Sequence, residues 1–222
     1  MATSPVTFQT VQRIIRMAYK EAGIVQDGDE PDGEQYIDGL NRLNDIANFE
    51  QTQGLKLFLI SDINIPLQLN KATYILSPTG DVVMPKPLRV LQAYYIDGGQ
   101  VRRPLDPLSW DEYTRLSQPQ QQGAINSYFV DKQGTQLNVS LWLVPDSTAI
   151  TGQVHLIVEN QITQAVSLTD NIMFPIEWAL FLRWALADEL CTGQPASIMQ
   201  RCSQKAEYYR RALEDWDCLL YT

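Results

Sequence analysis

The order of segments predicts an α+β fold: a helical bundle formed by N- and C-terminal helices, with an inserted antiparallel β lobe. Three observations carry this expectation. Two stretches near the start repeat apolar residues at steps of three and four, the signature of amphipathic helices. A long middle region is broken into short β-type segments punctuated by turn residues. The last part opens on FPIEWALFLRWALADELCTG (174–193), almost free of charge, and ends in a helix with a near-heptad apolar pattern. Helices so far apart in sequence bury their stripes only by coming together, so residues 1–60 and 170–222 are expected to form the bundle and 61–169 the β lobe.

The first helix is expected over residues 7–22. Val11, Ile14, Ile15, Ala18 and Ala22 form its stripe, and Gly23 is placed to end it. An acidic loop, DGDEPDGE (27–34), follows. Asp27 and Asp29 have the first spacing of a calcium loop, but Pro31 stands where a third ligand belongs and Asp32 where the glycine is required. The acids are better read as favouring the start of the next helix, expected from Asp32 to Gln53 and closed by Gly54. Tyr36, Leu40, Leu43 and Ala47 share one of its faces.

From Ile63 the segments NIPLQL, ATYIL, DVVMP and LRVLQAYYID read as strands, and the Asp97-Gly98-Gly99 turn predicts a hairpin returning through QVRRPL. Ser109 and Glu112 have capping-box spacing, so a short helix near 109–117 is expected. QPQQQGA (118–124) is a polar, weakly structured loop. NSYFVDK, LNVSLWLVP and GQVHLIVEN follow as strands, the last with Val154, Leu156 and Val158 on one face. Pro175 suits the first turn of the charge-poor helix, and Gly193 and Pro195 punctuate its end. The final helix carries Ile198, Cys202, Ala206, Tyr209, Leu213, Trp216 and Leu220 along one seam. Arg183, alone in the middle of the apolar helix, must either meet an acid on a neighbouring helix or stand at a subunit boundary.

The chain has 222 residues and a net charge of −9, with 26 acidic against 17 basic residues. That balance argues against a protein whose main task is gripping nucleic acid. The three cysteines (Cys191, Cys202, Cys218) form no CxxC pair and the one histidine, His155, is distant in sequence. No disulfide framework, metal site or cofactor is therefore expected, and a reducing compartment fits. No signal-peptide core or comfortable membrane span is visible, so no membrane anchor is expected. His155 has no serine or cysteine in a nucleophile-elbow context, no phosphate loop is present, and no carboxylate stands in a motif that singles it out. The alternative class is a cell-wall or nucleic-acid hydrolase using a carboxylate pair, a geometry that spacing in sequence does not reveal.

Four passages, in order, resemble one family. They are GLNRLNDIANFEQTQGLKLF (39–58), LRVLQAYYIDGGQVRRPLDPLSWDEYTRL (88–116), LWLVPDSTAITGQVHLIVEN (141–160) and FPIEWALFLRWALADELCTG (174–193). Together they are similar to the head-to-tail adaptor proteins of short-tailed bacteriophages, also called packaged-DNA stabilisation, tubular-tail or tail accessory proteins. Phe49 stands where that family usually has tryptophan. Connector proteins of long-tailed phages share the helical part of the pattern, which leaves the tail type open.

The resemblance implies a structural virion protein at the head–tail junction, assembled in the host cytoplasm, and not an enzyme. It implies a homo-oligomeric ring, commonly a dodecamer, beneath the portal protein. Such a ring extends the DNA channel, helps to retain packaged DNA and receives the tail tube or nozzle protein. On this reading Leu213, Trp216, Leu219, Leu220 and Tyr221 form an apolar end that either packs back on its own helices or docks on the portal. Gln118, Gln120, Gln121 and Gln122 are the corresponding candidates for the tail component. Arg13, Arg16 and Lys20 on the first helix, and Arg102 and Arg103 after the hairpin turn, are candidates for a subunit boundary or the channel wall. Proximity to DNA would be non-specific, since nothing suggests readout of bases.

Overall fold

A computed structural model describes residues 10–53, 57–171 and 174–219, with the side chains of all of these except 57 and 216–219. The chain divides into two compact units, Met1–Phe58 with Ile162–Thr222, and Leu59–Gln161.

In the first unit, α1 (Val11–Glu21) begins at Thr10, whose side chain accepts from the Arg13 amide. Its first free N–H groups are taken up by a distant segment: Val11 donates to the Asp170 carbonyl and Gln12 to that of Leu168, each at 3.0 Å. Gly23, at φ 73°, ends the helix. The Gly23 amide bonds the Lys20 carbonyl and the Ile24 amide that of Tyr19, the paired geometry that glycine in the left-handed region makes possible. Helix α2 (Gly33–Glu50) starts from a capping box between Asp32 and Gln35. Its expected closing residue, Gly54, lies outside the described residues. Gly39 lets the two helices touch, because a Cβ there would sit 2.6 Å from an Ile15 methyl.

The charge-poor stretch forms α4 (Trp178–Leu190), numbered after a short α3 described below. The Trp178 amide donates to the Pro175 carbonyl, so proline sits in a lead-in turn and the helix proper begins three residues later than its N-terminal position would give. Trp178, Ala179, Phe181, Leu182, Trp184, Leu186, Ala187 and Leu190 are all buried, against α1, α2 and α5 (Ala196–Leu219). Arg183 meets Glu21 of α1 at 3.7 Å. Helix α5 applies Ile198, Cys202, Ala206, Tyr209 and Leu213 to this core. Asn44 of α2 clasps Ala165 through both its backbone groups, at 2.9 and 3.0 Å, and so ties down the segment that feeds α1.

The second unit contains β1 (Ile60–Ile65), β2 (Thr73–Ser77), β3 (Val82–Val83), β4 (Arg89–Ile96), β5 (Arg102–Leu108), α3 (Trp110–Thr114), β6 (Gln122–Gly123), β7 (Ser127–Lys132), β8 (Leu137–Trp142), β9 (Val144–Pro145) and β10 (Gln153–Glu159). Eight strands form one sheet in the order β1-β10-β4-β5-β7-β8-β2-β3, and β6 pairs with β9 separately. The expected hairpin joins β4 to β5, with Asp97 accepting from the Gly99 and Val101 amides. The capping box between Ser109 and Glu112 starts α3.

The expected fold class is corrected by this sheet. The chain is a mixed α/β protein dominated by an eight-stranded, nearly closed, barrel-like sheet, with only 36% of it helical; it is not a helical bundle carrying an inserted antiparallel lobe. Nor is the sheet antiparallel throughout, since β5 runs parallel to β7 and β2 parallel to β3. The physical reason is that short strands leave unpaired edges, and curling many of them into one sheet removes edges while giving a single interior face. That face gathers Ile65, Tyr74, Leu105, Leu137, Leu141 and Leu156 into one core.

Candidate interface surfaces

Helix α5 organises the surfaces of the helical unit. At 3.6 residues per turn, its buried stripe leaves two flanks about 200° apart around the axis. One flank, with Ser203, Glu207 and Arg210, borders a groove of about 420 Å³ shared with α2 and α4. Five acids line it, Asp45, Glu50, Asp188, Glu189 and Glu207, against two arginines, Arg42 and Arg210. Phe49, 57% exposed, forms its apolar rim.

The arginines are already engaged. Arg210 lies 3.6 Å from the buried Glu50 and 3.2 Å from Glu214, and Arg42 lies 2.9 Å from Asp38 and 4.0 Å from Glu189. Asp45 and Asp188 have no ion pair among the described residues. Burial, reinforced by the charge of Glu189, raises the Asp188 carboxyl above the usual carboxylate range. The groove therefore holds negative charge in excess of the cations that face it.

The other flank carries Arg201, Gln204, Lys205, Tyr208 and Tyr209, without an acid among them. Arg201 anchors it by donating to the Glu21 carbonyl at 2.6 Å, satisfying an acceptor in the last turn of α1. Tyr208 is 64% exposed and stands edge-on to Tyr209 at 5.2 Å, with the Lys205 ammonium 5.9 Å from the Tyr209 ring.

The residues singled out from sequence are distributed as follows. Leu213 is half-buried against the helical core. Trp216 and Leu219 belong to α5 but their side chains lie outside the described residues, as do Leu220 and Tyr221. Gln118, Gln120, Gln121 and Gln122 are exposed, but their backbone is more ordered than a weakly structured loop. The Gln118 carbonyl accepts from the Trp142 indole at 3.3 Å, the Gln121 carbonyl from the Val144 amide at 2.9 Å, and Gln122 pairs with Val144 across β6 and β9.

The basic stripe on α1 turns mostly to the acidic loop of its own chain. Arg16 meets Glu30 at 3.0 Å and Lys20 meets Asp27 at 3.6 Å, while Arg13 is exposed. Glu30 also accepts from the Tyr36 hydroxyl at 3.2 Å, and Asp32 caps α2, so three of the loop's acids, Asp27, Glu30 and Asp32, are engaged by local structure. Arg103 bonds Asp97 within the hairpin at 3.1 Å. Arg102 lies over the Tyr94 ring, 3.4 Å from its centroid.

Arg102 belongs to a cluster that sequence reasoning missed. On the outer face of the sheet His155 stacks on Tyr94 at 4.9 Å, its Nδ1 lies 2.9 Å from Asp62, and the Tyr94 hydroxyl also donates to Asp62. Burial works to raise the Asp62 carboxyl, but the hydrogen bonds from Tyr94 and His155 outweigh it and hold the group low. The same bond to Asp62 pushes the Tyr94 hydroxyl up. The strand register sets this meeting, with His155 opposite Tyr94 on one side and Asn64 on the other. The only signal in the sequence was the alternation of β10, which puts His155 on the face opposite Val154 and Leu156. The cluster ties four strands together, β1, β4, β5 and β10, through the Tyr94 ring and the hydrogen bonds to Asp62. A second outward group packs Trp110 and Tyr113 of α3 on Phe129 of β7, at 5.7 and 4.4 Å.

Among the described residues no group of three or more histidine, cysteine or acidic side chains could hold a metal ion, and no helix is long and apolar enough to cross a membrane. No protein-family model matches the chain, and no curated protein matches it.

Proposed function

We propose that this protein is a structural virion component, a head-to-tail adaptor that assembles as a ring beneath a phage portal, extends the DNA channel and receives the next tail component. Its work is assembly through subunit and partner contacts, not catalysis. The observation that carries the reading is the helical unit's exposed aromatic surface. Phe49 and Tyr208, 57% and 64% exposed, stand beside grooves on α2 and α5, where burial in a protein–protein contact would recover their apolar area. The order and spacing of the four adaptor-like passages supply the class of assembly.

On this proposal the end of α5 and the residues beyond it, 213–222, dock on the portal. The segment 118–122 meets the tail component from the sheet unit. Arg13, which has no ion pair among the described residues, is the candidate among the α1 cations for a subunit boundary or the channel. Co-sedimentation with purified portal rings tests the reading. The intact chain should sediment with the rings, and a chain lacking 213–222 that keeps its helical circular dichroism should not. Equal binding by the truncated chain would overturn the docking assignment, and absence of binding by the intact chain would overturn the adaptor reading.

A further inference from the structure

We propose that the two flanks of α5 are complementary halves of one contact between copies of this chain, the basic-aromatic flank of one copy seating in the acidic groove of the next. The proposal deepens the ring reading and rests on it.

The charges of the two surfaces are opposite. The groove is a recess with excess carboxylates and an aromatic rim. The flank bears Arg201, Lys205 and the exposed ring of Tyr208. A cation entering the groove would find Asp45 and Asp188 without ion-pair partners among the described residues. It would also offset the unfavourable burial of the Asp188 carboxylate. Tyr208 would bring an apolar body to Phe49 with a hydroxyl left for the wet rim.

Placement on opposite sides of one helix decides which occupant is favoured. A two-fold contact pairs opposite charges only when both surfaces lie on one face and meet reciprocally, which flanks on opposite sides of α5 do not allow. A head-to-tail contact uses two different patches, one from each copy, and its repetition closes into a ring when the rotation allows. Surfaces of opposite sign on the two flanks of a single helix meet that requirement within one subunit. The apolar stripe between them is spent on the subunit's own core.

The test exchanges charge at two exposed positions, Lys205→Glu on the flank and Asp45→Lys in the groove, in the full-length chain. Association is followed by sedimentation velocity, alone and on portal rings. Each variant alone should associate on the order of 100-fold more weakly than the unaltered chain, with circular dichroism unchanged. An equimolar mixture of the two should regain association, because each junction then pairs opposite charges again. Raising salt should weaken the unaltered contact as well.

If the unaltered chain forms rings and both variants do so equally well, the flank-to-groove contact is wrong while the ring reading stands. If the unaltered chain stays monomeric both alone and with portal, both fail. Should Lys205→Glu lose binding to a DNA duplex but keep self-association, the basic flank serves a polyanion and the proposed contact is overturned.

Discussion

The two units bury polar groups differently. In the sheet unit the buried polar side chains are matched: the Ser140 and Thr73 hydroxyls lie 2.9 Å apart, and fully buried Glu159 pairs with Arg89. In the helical unit, the buried Nε atoms of Arg16 and Arg183 and the Trp184 indole nitrogen have no hydrogen-bond partner among the described residues. Unmatched buried donors cost stability, so these three are a local penalty within the helical packing. The comparison teaches that the two units meet the same cost differently: the sheet unit pairs its buried polar groups, and the packing of the helical unit tolerates donors left unpaired.

Substitutions sharpen this contrast, beginning with the largest effect. Leu156→Ala in the sheet core, where the side chain is fully buried, should destabilise by roughly 2–5 kcal/mol in denaturant unfolding, and a change under 1 kcal/mol would show a looser interior. In the helical unit, Gly39→Val should cost about 1–3 kcal/mol, because the added carbon would meet Ile15 and Tyr19. An unchanged midpoint would mean that α1 and α2 can separate.

Asp81→Asn tests a polar tie in the sheet unit. Asp81 accepts from Lys71 and from the Ile75 amide, and these two bonds hold its carboxyl below the usual carboxylate range. A group whose folded value is depressed contributes fully above its unfolded value, near pH 4, and loses that contribution as pH falls through the folded value. The substitution should therefore cost about 1–3 kcal/mol at neutral pH, with the difference from the unaltered chain shrinking in acid. A difference constant with pH would contradict the assignment.

Two smaller effects complete the series. Phe49→Ser should change subunit stability by less than about 0.5 kcal/mol, since the ring is exposed, yet weaken self-association. Cys202 is fully buried, and burial first, then the neighbouring Cys191, pushes its thiol up to about 11. It should react with a thiol reagent only as the chain unfolds. Rapid labelling in native buffer would show that α5 opens from the core.

Much of the local structure was legible in sequence, because capping and turn signals act within a few residues. Asp32 and Gln35, Ser109 and Glu112, and the Asp97-Gly98-Gly99 turn are of this kind. The lack of charge in α4 also foretold burial on nearly every side. Sheet closure was not legible. Pairing β5 with β7 in parallel depends on register between segments with α3 and a loop between them, and no local pattern encodes it. The candidate surfaces were hidden for the same reason. Asp62 and His155 are 93 positions apart, and the acidic groove draws on α2, α4 and α5 together. Arg16 and Lys20 looked like a free basic stripe because their partners, Glu30 and Asp27, lie in a loop whose path the sequence does not specify.

Electron microscopy of the intact chain mixed with purified portal rings tests the central claim most directly. The account predicts a closed ring of this protein on the tail-facing side of the portal, with the helical units in contact around it. Bare portals beside a persistent monomer that cleaves peptidoglycan or nucleic acid would contradict it.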